Sequence, residues 1–157
     1  MNTLSFTWLE PTALAMQLSK PIKRMSIRSA VPGKAISATL WHPDGTGLRI
    51  QSTMHDVAER REIGVLDFAI VAAAGNDEKS FDIPASFSGG TKASKLVINE
   101  SGTNAESGVV LKASDGQEIV VVAGAFPYSL AISGVSSMPL GFEPEYSLES
   151  YARIDIA

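Results

Sequence analysis

Apolar and polar residues alternate in short runs along most of this chain, which is the period-two signature of half-buried strands. Leu4, Phe6 and Trp8 alternate with Ser5 and Thr7 until Glu10-Pro11 ends the run. Met25 and Ile27 sit between Arg24, Ser26 and Arg28, and Pro32-Gly33 closes that strand. Ile36, Ala38 and Leu40 then lead through Trp41-His42-Pro43 into Asp44-Gly45, and Leu48 and Ile50 return. The same grammar recurs at Asp115-Gly116, between Val109-Val110-Leu111 and Ile119-Val120-Val121-Val122. Asp-Gly supplies the positive φ values that a tight reverse turn needs, so both sites predict hairpins.

Two apolar stretches are continuous rather than alternating. Residues 63–73, interrupted by Asp67, and 119–126 predict strands covered on both faces. Residues 95–98 predict a short strand followed by a polar loop over 99–107. Residues 75–90 read as loop, 128–132 as a strand, and 153–156 as a terminal strand. The helical candidate is 54–61, where Thr53 precedes Asp56 by three residues in the manner of a capping box. The pattern predicts a mainly β fold, with a β-rich α+β arrangement as its variant. Nine or ten strands would form an antiparallel sandwich or barrel, with one or two short helices.

At 157 residues the length predicts a single domain over 1–157. The 45% hydrophobic and 19% charged content fits an ordinary globular protein. With no cysteine, the sequence excludes disulfides, thiolate metal sites and a cysteine nucleophile. The first 18 residues lack the basic start and unbroken apolar stretch of a signal peptide, and no run reaches the length of a membrane span. These features predict a cytoplasmic protein without a membrane partner. Net charge is −4 with a pI near 5.1, and the basic residues group only at 20–28 and 60–61, so nucleic acid is not an expected partner.

Candidate chemistry is sparse. Of two histidines, His42 reads as a turn residue at a hairpin tip. His55 keeps company with Asp56 and Glu59. On a helix, His55 and Glu59 would share a face at four-residue spacing, as a base with its orienting carboxylate. No further ligands accompany them, so no metal or other cofactor is expected. Neither a nucleophile elbow nor a phosphate-binding loop occurs. The acidic and aromatic stretch 141–151 offers Phe142, Glu143, Glu145, Tyr146, Glu149 and Tyr151, a mixture suited to a basic protein partner. Its competing role is to seal the core while the acids face water. The resulting expectation is an acidic protein-binding module rather than an enzyme. Immunity or inhibitor proteins of bacterial toxin systems share its size and charge. The alternative is a small-molecule-binding or enzymatic barrel using His55, Asp56 and Glu59, and edge strands leave room for a homo-oligomer.

Overall fold

The computed structural model describes residues 2–6, 11–29, 31–58, 61–136, 138 and 140–156. They form two sheets, one helix and two short 3-10 turns, so the mainly β expectation holds. The strands are β1 (Asn2–Leu4), β2 (Arg24–Arg28), β3 (Ser37–Trp41), β4 (Gly47–Ala58), β5 (Arg61–Val71) and β6 (Glu78–Asp82). They continue with β7 (Lys92–Glu100), β8 (Thr103–Lys112), β9 (Glu118–Ala123), β10 (Leu130–Ser133) and β11 (Ala152–Asp155). One sheet runs β10-β9-β8-β7-β11, with β1 parallel to the start of β8; the other runs β5-β4-β3-β2-β6. All remaining pairings are antiparallel.

The continuous apolar runs follow from strands that feed two cores. Val109 and Leu111 of β8, with Ile119 and Val121 of β9, face the second sheet and pack with Met25, Leu40, Leu48, Ile50, Leu66 and Phe68. The opposite faces of the same strands carry Val110, Val120 and Val122 into a second cluster with Leu96, Ile98, Ile63, Val65 and Tyr151. β5 likewise gives Ile63 and Val65 to one cluster and Leu66 and Phe68 to the other. A strand buried on both sides has no polar positions to alternate with.

Both Asp-Gly sites form hairpins, β3–β4 and β8–β9. Their turns differ from the expected one, because only the glycine has positive φ, 89° at Gly45 and 90° at Gly116. Gly45 N–H donates to His42 C=O at 3.1 Å and His42 N–H to Thr46 C=O at 2.9 Å; Ala113, Gly116 and Gln117 repeat the pattern at 3.0 and 2.9 Å. Each is therefore a three-residue loop whose glycine makes the bulge that re-enters the strand. The Asp44 carboxylate accepts the N–H and O–H of Thr46, which hold its pKa at about 2.

Three sequence expectations are corrected. Residues 54–58 are not helical: β4 runs unbroken to Ala58, paired with β5 from Gly47↔Val71 to Asp56↔Glu62. A single weak cap cannot outweigh a ladder of that length. The segment 99–107 is not a loop, because Ser101 and Gly102, at φ 54° and 81°, turn β7 directly into β8. The 75–90 region contains β6 as well as loop. A helix also forms where none was expected, α1 (Pro11–Ser19), with Leu14 and Leu18 one turn apart in the main core. Of the first alternating run, β1 ends at Leu4, Phe6 packs edge-on to Phe68 at 5.0 Å, and Thr7 and Trp8 lie outside the described residues.

Candidate functional site

The C-terminal stretch is laid along the end of β9. Ala125 N–H donates to Glu143 C=O at 2.9 Å and Glu145 N–H to Ala123 C=O at 3.0 Å, an added rung beyond the β9–β10 hairpin. This pairing sets Glu143 beside the β9–β10 loop, whose four residues 125–128 are exposed. Phe126 is 45% and Tyr128 57% exposed. Ser129 N–H and O–H both donate to Phe126 C=O, at 3.0 and 2.6 Å, bracing a turn with Pro127 at its second position. Tyr128 takes its third position at φ 65°, a conformation normally filled by glycine. At the foot of the loop Lys34 pairs with Glu143 at 3.0 Å.

The aromatics named from the sequence have a different disposition. Tyr151 is buried, and Phe142 and Tyr146 pack partly buried against the second core. Tyr146 and Tyr151 meet edge to face, 6.1 Å between centroids. Tyr146 O–H donates to Glu100 at 3.2 Å and accepts from Arg61 at 2.9 Å, while Arg61 also pairs with Glu100 at 3.3 Å. Burial raises the Tyr146 and Tyr151 pKa values, so both phenols stay protonated at neutral pH. Glu145 is half-buried and accepts Gly64 N–H at 3.1 Å; desolvation raises its pKa. Glu143 and Glu149 remain exposed. The segment thus closes the second core with its rings, and the exposed rings on the loop beside Glu143 are Phe126 and Tyr128. Sequence reading placed those two residues in strands; the signal for a projecting turn was Pro127 between two aromatics.

His55 and Asp56 are successive residues of β4, so their side chains point to opposite faces, and the helical pairing with Glu59 does not arise. His55 Nε2 lies 3.0 Å from Thr53 Oγ1, and Glu59 is outside the described residues. His42 opens the β3–β4 turn, as expected, and its ring is turned inward. It is 3% exposed, with Nδ1–H donating to Pro21 C=O at 2.9 Å, and burial lowers its pKa. Among the described residues no three metal-binding side chains converge, and no helix is long and apolar enough to cross a membrane.

Comparison of the chain with protein-family models, with curated proteins and with solved structures gives no match.

Proposed function

We propose that this chain is a non-enzymatic, cytoplasmic binding module that docks onto a basic face of another protein, as an immunity or inhibitor protein would. Its docking face is the loop Phe126-Pro127-Tyr128 with the acidic segment beside it. Tyr128 carries the reading. An L-residue held at positive φ costs about 1–2 kcal/mol that glycine would avoid, and strain of this kind gathers at functional positions. Here the strained residue is an exposed tyrosine on a braced loop, next to an exposed phenylalanine. Rigid aromatics that lose little entropy on docking are the usual anchors of interfaces. Exposed Glu143 beside the loop, and a net charge of −4, suit electrostatic steering toward a basic surface.

The test is affinity purification of the tagged protein from its native lysate. One stoichiometric basic partner is expected with the wild type and with Met16→Ala, which removes an exposed apolar residue elsewhere. Phe126→Ala/Tyr128→Ala should lose it. Tyr128→Gly should also lose most of it while raising the unfolding free energy by about 1 kcal/mol. Absence of a stoichiometric partner, or its retention by the double variant, would overturn the proposal.

A further inference from the structure

Among the strands that end a sheet, β11 has a free edge whose charge order is its own complement. β10 is met on its outer side by Ala35, whose C=O accepts Leu130 N–H at 2.8 Å, and β5 is met at Gly64 by Glu145 and Ser107. Beyond β11 no strand lies among the described residues, and all of Ala152–Asp155 is exposed, Ile154 by 45%.

The hydrogen-bond phase of this edge follows from its pairing with β7. Ile156 N–H donates to Ala93 C=O at 2.9 Å, in step with the Ile154↔Lys95 register, so Ala152, Ile154 and Ile156 turn their backbone groups toward β7. Arg153 and Asp155 therefore present their N–H and C=O groups outward. Side chains alternate too. Ile154 lies on the face of Ile156, which packs against the main core, and Arg153 and Asp155 share the opposite face. There Arg153 pairs with Glu118, and Asp155 accepts Ser94 O–H at 3.0 Å. No cation pairs with Asp155 among the described residues.

We propose that β11 is a dimerisation strand, pairing antiparallel with β11 of a second copy of this chain about a two-fold axis at Ile154. In that register Arg153 stands opposite Asp155 of the second copy, and Asp155 opposite its Arg153. Each such pair exchanges both of its outward backbone hydrogen bonds. Each also sets a guanidinium against a carboxylate, with Cβ atoms about 5 Å apart. On the other face Ile154 meets its copy at the close, non-hydrogen-bonded position. Arg153 is half exposed and can leave Glu118 for the nearer carboxylate. Glu118 stands on β9 with β7 and β8 between, whereas the added strand lies about 4.8 Å away.

The order of basic, apolar and acidic residues selects a second copy, because reversing the strand returns the complementary charges. β6 lacks this symmetry. Paired on itself about Ser80 it would set Glu78 against Asp82, and like charges in register discourage such pairing. The contact is short, so the dimer is weak and forms at high protein concentration. This surface is separate from the Phe126–Tyr128 loop and does not rest on the function proposed for it.

The experiment is sedimentation equilibrium of the full chain, with ¹⁵N NMR spectra, from about 20 μM to about 1 mM. A monomer–dimer equilibrium is expected, with concentration-dependent shifts larger at the Arg153 and Asp155 amides than at Ala152 and Ile154, whose N–H groups stay bonded to β7. Asp155→Arg should weaken the dimer at least about tenfold, and Arg153→Asp/Asp155→Arg should restore it, since the exchanged charges again alternate. Phe126→Ala should leave it unchanged. If Asp155→Arg does not fold, Ile154→Lys decides, because it sets two lysines face to face at the axis. A monomer at about 1 mM, shifts confined to another surface, or undiminished association of the decisive variant would overturn the proposal.

Discussion

Among the acids of the C-terminal segment, Glu145 has its carboxylate turned inward to the Gly64 N–H rather than outward to a partner. Arg61 favours its ionised form and Glu100 opposes it, but desolvation is the largest influence and raises the pKa. The native state therefore holds this proton more tightly than the unfolded chain does. Stability from this group is complete below the ordinary glutamate range and is lost as pH rises through the elevated native value. Glu145→Gln keeps the acceptor oxygen and removes the titration. Its melting temperature relative to wild type should be lowest near about pH 4 and climb toward about pH 7. Thermal unfolding at several pH values checks this; a difference independent of pH would mean that burial does not govern the carboxylate. Nothing in the sequence distinguishes Glu145 from Glu143 two residues earlier. The distinction comes from the β5 edge, which lies far away in the chain.

At the scale of elements, legibility followed how local the determining interactions are. The Asp44-Gly45 and Asp115-Gly116 turns are settled within five residues, by a glycine and an aspartate that binds the backbone just beyond it, and both were readable. Residues 54–58 were not, because what makes them strand is the pairing with β5. α1 is legible in principle, since proline stands at its first position and Leu14 and Leu18 are at helical spacing. The β7–β8 hairpin was hidden by composition, since Thr103, Asn104, Glu106 and Ser107 make the start of β8 look like loop. Its polar side chains are nonetheless occupied: Glu106 accepts Phe6 N–H at 2.8 Å and pairs with Lys95, and Ser107 O–H donates to Gly64 C=O at 2.6 Å. The turn itself uses Ser101 at φ 54°, where asparagine is better suited. Ser101→Asn should raise the unfolding free energy by roughly 0.5 kcal/mol, and Gly102→Ala should lower it by about 1 kcal/mol. Chemical denaturation of the two variants reads both signs, and a destabilising asparagine would show that Ser101 is held there by something other than turn geometry.

Across the whole molecule, the two sheets share the main core and are tied a second time at β5. Gly64 donates its N–H to Glu145 and accepts from Ser107, so one residue of the second sheet ties the C-terminal segment and β8 of the first. Its missing side chain is what permits the approach: a Cβ there would stand 2.5 Å from the Cβ of Ala123 and 2.8 Å from Ser52 Oγ. The Ser52 hydroxyl can rotate away, but the Ala123 Cβ is fixed to the backbone of β9 and cannot yield. Gly64→Ala must then push β5 away from β9, straining both hydrogen bonds and loosening the two clusters to which β5 contributes. The expected loss is about 2–3 kcal/mol, the upper part of the overpacking range. Because this tie belongs to both sheets, the loss should fall on them together. In a Trp8→Phe background, Trp41 fluorescence reports the second sheet, while far-ultraviolet circular dichroism averages over both. The two transitions should shift to lower denaturant by the same amount and remain superimposed. A fluorescence transition that moves alone would mean the sheets unfold as separate units, and Gly64 would then serve the second sheet only.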